Sequence, residues 1–243
     1  YKNLENKVKE RTYEIENKKK EIELSKSMLE LEKYKSDQLL GNILPESTAK
    51  ELKELGYAIP RSYDMVTIMF TDFKGFTKLA EKLSPEKIVD ELNHYFVAFD
   101  AIISKYGLEK IKTIGDAYMC VGGIPEENTT NAIDAVKAGL EMQQFMAKEA
   151  IRKEIRGEQV WELRIGIHTG KVVAGVVGNK KFAYDVWGDA VNVAARLEQH
   201  SEVGKVNVSN NTYRHIKDVF NCRYRGKIKA KNKGNVDMYF VEN

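Results

Sequence analysis

Two regimes of apolar spacing divide the chain. Residues 1 to 40 contain no Gly or Pro, set ten Lys/Arg against nine Asp/Glu, and place Leu4, Val8, Ile15, Ile22, Leu29 and Ile43 on one seam. The seam repeats every 3.5 residues or so, which predicts a long helix that pairs as a parallel coiled coil, with a single solvated helix as the plainer alternative. Arg11, Lys18, Ser25 and Glu32 occupy the alternate seam positions, and Leu24, Met28 and Leu31 offer a competing seam. The register is therefore weakly specified. Gly41 and Pro45 break the pattern, and a short amphipathic stretch from Ser47 to Leu55 ends at Gly56, which reads as a joint.

From Met65 onward, strand and helix periods alternate. Met65 to Thr71 reads as a buried strand, Gly75 to Leu83 and Pro85 to Tyr106 as helices, and Leu108 to Ile114 with Ala117 to Val121 as a hairpin around Gly115-Asp116. Asn128 to Ile151 is amphipathic at helical period. Leu163 to His168 and Val172 to Val177 read as a second pair of strands, Ala190 to Gln199 as a helix and Val206 to Ser209 as a short strand. Cys222 to Lys229 and Val236 to Val241 close the chain with a hairpin. The simplest assembly is α+β: a ferredoxin-like βαββαβ palm core with a C-terminal β-hairpin extension, preceded by the long coiled-coil helix, with helices on one face of a mostly antiparallel sheet.

Composition narrows the chemistry. Hydrophobic residues make up 42% and charged residues 31%, but the net charge is only +3, so nothing implies a nucleic-acid partner. Cys120 and Cys222 fit neither a disulfide framework nor a zinc pattern, and His94, His168, His200 and His215 are scattered. No apolar run is long enough to span a bilayer, and no secretory leader opens the chain. Residue 1 is Tyr and lies already inside a helical pattern, so the chain is expected to be a fragment of a longer protein.

The candidate chemistry lies at strand ends. Asp72, in Phe70-Thr71-Asp72-Phe73-Lys74-Gly75-Phe76-Thr77, and Asp116, in Ile114-Gly115-Asp116-Ala117, each follow an apolar run. Alone, either is an ordinary turn aspartate. Together, without a Cys/His set, they suit Mg²⁺ or Mn²⁺, which bind one or two carboxylates plus substrate phosphate oxygens. The loop from Phe73 to Thr77 can turn backbone N–H groups toward a phosphate, and Gly75 would let the backbone come close. Asn192 and Arg196 are four apart and share one helix face.

With these residues in order, residues 60 to 243 resemble a class III nucleotidyl cyclase catalytic domain of the adenylyl type. The related diguanylate cyclases would need a Gly-Gly-Asp/Glu-Glu-Phe turn, whereas Gly122-Gly123 runs into Ile124-Pro125. The resemblance implies that Asp72, Asp116 and Phe73 form the metal set, holding two Mg²⁺ or Mn²⁺ per active site. It further implies that Lys112 and Asp185 read the base, that Asn192 orients the ribose, and that Arg196 stabilises charge on the α-phosphate. Lys231 would contact the terminal phosphates, and Phe73, Gly75, Phe76 and Thr77 would line the substrate loop. In the loop of Lys231, Asn232 replaces the family's usual Gly. An ammonium and a carboxylate suit the N1 acceptor and the 6-amino donor of adenine, and guanine presents the reverse polarity.

The resemblance thus implies an adenylyl cyclase acting on ATP, with sites shared across a homodimer. A guanylyl cyclase, or a silent cyclase-like module for dimerisation or nucleotide sensing, is the alternative. Residues 1–44 would be a coiled-coil signalling helix, 45–59 a transducing joint and 60–243 the catalytic domain. An upstream sensor or receptor module is expected to precede it. The fragment itself is expected to be cytoplasmic, with any membrane anchor in the missing N-terminal region.

Overall fold

A computed structural model describes residues 2–178, 180–230 and 234–242, and the chain divides into two compact units, residues 1–58 and 59–243. In the first unit, α1 (Lys2–Gly41) is one uninterrupted helix with no buried residue. Its seam side chains Leu4, Val8, Ile15, Ile22 and Leu29 are all largely exposed. After a turn, Pro45 caps α2 (Glu46–Leu55), which ends on Gly56 in the left-handed region at φ 80°, where its N–H donates to Leu52 O. An ion pair between Lys53 and Asp37 ties α2 to α1.

The second unit begins with β1 (Arg61–Phe73), α3 (Phe76–Ala80), α4 (Pro85–Lys105), β2 (Glu109–Ile114), β3 (Ala117–Gly122), α5 (Asn131–Ile155) and β4 (Leu163–Val177). The strands lie in the order β2-β3-β1-β4, all antiparallel, which is the βαββαβ core. Then come β5 (Ala183–Trp187), α6 (Asp189–Gln199), β6 (Val206–Ser209), α7 (Asn210–Ile216), β7 (Asn221–Ala230) and β8 (Gly234–Glu242). β6 adds to β4 in parallel, the β7–β8 hairpin extends the sheet beyond it, and β5 pairs with the far half of β4.

Strand alternation sorts the two faces. Met69 and Phe73 of β1, with Leu163, Ile165 and Ile167 of β4, point into a core shared with Tyr95 and Phe99 of α4 and Ala135, Val136 and Met142 of α5. Residues of opposite parity face α6, which lies almost on the backbone of β4. A Cβ at Gly166 would stand 2.0 Å from the backbone nitrogen of Glu198, and one at Gly170 would stand 3.0 Å from Ala190 Cβ. The helices therefore cover both faces, not one, because β4 supplies glycines on which a second helix can rest.

The same contact explains another difference from the sequence reading. Leu163 to Val177 is one continuous strand, not two, since Gly170 stays paired, opposite Val66, beneath α6 and makes no turn. β5 and α7 have no expected counterpart; both are too short to declare a period. α4 follows its local signals closely, with Ser84 accepting from Lys87 N at 3.3 Å and Pro85 in the first turn.

Candidate active site

β1 delivers Asp72 at its end, where it stands opposite Arg164 in the register with β4. Arg164 Nη2 approaches Asp72 Oδ1 at 2.9 Å and Glu198 Oε1 of α6 at 3.0 Å. Asp116 sits at the start of the β2–β3 return, after Gly115 at φ 62°, and its carboxylate accepts from the backbone N–H of Phe73. Burial, then the charge of Asp72, raises the Asp116 carboxyl above its usual value. Two carboxylates near enough to repel each other, on the ends of neighbouring elements, could offer oxygen ligands to a hard cation. Among the described residues no group of three or more His, Cys, Asp or Glu could hold a metal by itself. Two carboxylates suffice for a Mg²⁺ that is completed by substrate phosphates and water.

Phe73 enters this site only through its backbone. Its side chain is 1% exposed and packs 5.0 Å from Trp161 and 5.1 Å from Tyr95, measured between ring centres. Gly75 adopts φ 72°, a conformation that other residues rarely take, and a Cβ there would meet open space. It starts α3, in which Phe76 packs on Trp161 at 5.6 Å and Thr77 is exposed.

A second group joins β2 to β5. Lys112 Nζ pairs with Asp185 Oδ2, while Asp185 Oδ1 accepts from Val186 N at 2.9 Å. The Asp185 side chain is 18% exposed and that of Lys112 is 40% exposed. The two residues that sequence reading set against one nucleobase are thus direct neighbours within one chain, 73 positions apart. Asn192 is exposed and Arg196 half-buried on α6, four residues apart. Lys231 and Asn232 lie outside the described residues.

Sequence reading missed Arg164 and Glu198. Glu198 is 6% exposed on the sheet side of α6, and burial, then Asp72, pushes its carboxyl up to about 7, with Arg164 opposing the shift. Each carried a signal: Arg164 is a charge between Leu163 and Ile165 in a buried strand, and Glu198 follows Leu197 on the apolar side of an amphipathic helix.

Residues 59–243 match the family described as Adenylate and Guanylate cyclase catalytic domain. An adenylate cyclase of Mycobacterium tuberculosis is 40% identical over 218 residues, covering 89% of this chain and 48% of the relative. The guanylate cyclase soluble subunit beta-2 of Rattus norvegicus is 38% identical over 229 residues, covering 94% of this chain and 33% of the relative. The chain therefore spans less than half the length of these curated relatives. The solved structure of the adenylyl cyclase CyaB from P. aeruginosa superposes with a TM-score of 0.72 at 34% identity, covering 76% of this chain and 96% of that one.

Proposed function

The chain belongs to the adenylate and guanylate cyclase catalytic domain family, and we propose that it is an adenylyl cyclase, converting ATP to 3′,5′-cyclic AMP and pyrophosphate. The observation that carries the choice of nucleotide is the Lys112–Asp185 pair, a donor and an acceptor placed side by side with the polarity that adenine needs. Similarity alone does not choose, since adenylyl and guanylyl relatives are alike in identity. A silent module is disfavoured because Asp72, Asp116, Asn192 and Arg196 are all present.

In the proposed reaction the ribose 3′-oxygen loses its proton and bonds to the α-phosphorus while the bond to the pyrophosphate oxygen breaks. Asp72 and Asp116, with the backbone at Phe73, would hold two Mg²⁺ or Mn²⁺. Such ions acidify a hydroxyl and neutralise phosphate charge in an in-line displacement. Asn192 orients the ribose. Arg196 meets charge that builds on the α-phosphate, a role for which a planar multi-donor cation is well shaped. Backbone N–H groups from Gly75 to Thr77 face the phosphates, and Lys231 contacts the terminal ones.

The sites are proposed to be shared in a homodimer, the metal set from one chain facing the base readers, Asn192, Arg196 and Lys231 of the other. Apolar side chains left exposed on the two strands that carry the base readers support a second copy there: Ile114 on β2 at 54% and Trp187 on β5 at 40%. The exposed seam of α1 would close on its counterpart as a coiled coil, below an upstream sensor. No helix among the described residues is long and apolar enough to cross a membrane. Incubating the chain with ATP or GTP and Mg²⁺ or Mn²⁺, then identifying the product, tests the proposal. Cyclic GMP as the main product would select the guanylyl alternative, and no product from either nucleotide would select the silent module.

A further inference from the structure

Arg164 stands between two carboxylates of its own chain, and only one of them has a part in the proposed reaction. Asp72 Oδ1 lies 2.9 Å from Arg164 Nη2, and Glu198 Oε1 lies 3.0 Å from the same nitrogen. At this junction the donor Arg164 Nε is buried without a hydrogen-bond partner, and the buried Glu198 Oε1 meets the shared Nη2 as an ion pair at 3.0 Å without well-formed hydrogen-bond geometry. A guanidinium presents Nε and one Nη as a fork that matches both oxygens of a carboxylate. The unpartnered Nε and the poorly aligned Oε1 contact are therefore the material of a two-point ion pair that is not made while Nη2 is shared with Asp72. Leaving buried polar atoms unpaired is unfavourable, so Arg164 gains by moving wholly onto Glu198 whenever Asp72 finds another cation.

Glu198 cannot drift from this position, because its backbone rests on Gly166, two residues along the same strand from Arg164. There a Cβ would come within 2.0 Å of Glu198 N and 2.6 Å of its Cα.

We propose that Glu198 is a positioning residue of the metal site, one that receives Arg164 when a divalent cation takes Asp72 and so keeps the guanidinium from competing for that carboxylate. The inference rests on Asp72 being a metal ligand. Without Glu198, Asp72 is the one carboxylate left within ion-pair distance of Arg164 among the described residues, and a cation entering the site must displace a guanidinium that is only 25% exposed. With Glu198, the displaced charge is neutralised within one side-chain movement.

The test is Mn²⁺ binding to the whole chain without nucleotide, read from the electron paramagnetic resonance of the free ion. Glu198→Gln is expected to weaken binding about tenfold or more, the usual scale for loss of a residue that supports a metal ligand. The double variant Arg164→Gln/Glu198→Gln is expected to return to within about threefold of wild type, since it removes the competing cation as well. A Glu198→Gln chain within about twofold of wild type, or a double variant as weak as Glu198→Gln, overturns the inference. If Glu198→Gln loses its native circular dichroism, Arg164→Gln alone decides: it should bind Mn²⁺ more tightly than wild type, and equal or weaker binding overturns the inference. Asp72→Asn separates the two layers. Retained binding in that variant would overturn the metal reading and this inference together, whereas lost binding beside an unaffected Glu198→Gln would overturn this inference alone.

Discussion

Inverting Lys112 and Asp185, the proposed base readers, should invert nucleotide choice. Lys112 and Asp185 pair with each other, and the Asp185 side chain, at 18% exposure, keeps little water in reserve. Adenine must therefore replace an existing ion pair with its own acceptor and donor, which it can do at both points, while guanine offers a mismatch at each. A buried polar group left without its partner costs roughly 1 to 3 kcal/mol, so the two mismatches together amount to roughly 2 to 6 kcal/mol. Lys112 is more exposed than Asp185, which moves the expectation toward the lower half of that range. That is about thirtyfold or more in the ratio of kcat/KM for ATP over GTP, at roughly 1.4 kcal/mol per decade. Lys112→Glu with Asp185→Cys should bring that ratio below unity while the dimer and the metal set remain intact. The assay is product formation from each nucleotide under matched Mn²⁺, read as kcat/KM. An unchanged preference for ATP in a double variant that retains activity would refute the assignment.

Four further outcomes follow from the same geometry. Asp72→Ala and Arg196→Ala chains, each inactive alone, should regain activity on mixing, toward about one quarter of wild type per total chain, because about half the dimers are mixed and each holds one whole site; no recovery between chains shown to exchange rules out shared sites. Deleting residues 1 to 40 should make specific activity rise steeply with chain concentration, since the proposed coiled coil would supply effective concentration; activity per chain that stays flat on dilution contradicts that role. Glu198, raised from 4.5 to about 7, favours its neutral form in the fold, so its contribution is fully present below the unfolded value and lost as pH rises through about 7. Wild type should thus lose up to about 3 kcal/mol relative to Glu198→Gln as pH rises from below 4.5 to above about 7, and a difference in melting temperature that does not vary across that window would exclude this. Gly166→Ala places a Cβ against the backbone of α6, so it should destabilise by about 3 kcal/mol or more in denaturant melts, and a wild-type midpoint would show that α6 yields freely.

What the sequence disclosed, it disclosed through period. α1, α4, α5 and β1 announce themselves because each runs long enough for its apolar spacing to repeat. β5 and α7 span 5 and 7 residues, too few to do so, and the sequence divides β4 between His168 and Val172 because it cannot show the helix resting on Gly170. The site divides along the same line. Asp72 and Asp116 stand out as charges ending apolar strands. The pairing of Arg164 with Asp72 spans 92 positions and depends on which strand residues stand opposite each other, information held by the register alone.

That register is in turn a product of the core. Phe73 packs among Trp161, Tyr95, Phe96 and Phe99 on the α4/α5 face. Because side chains alternate along a strand, anchoring Phe73 on that face obliges Asp72 to point to the other, toward Arg164 and α6. A slip of one residue would place the aromatic ring in the site and the carboxylate in the core, exchanging a large burial gain for an uncompensated charge. Phe73 thus works on both sides of the strand at once: its ring fixes the register that presents Asp72, and its backbone N–H holds Asp116 beside it. The hydrophobic pattern from which β1 was read is therefore also what aims the candidate metal ligands, which is why a strand legible from sequence carried a site that was partly legible with it.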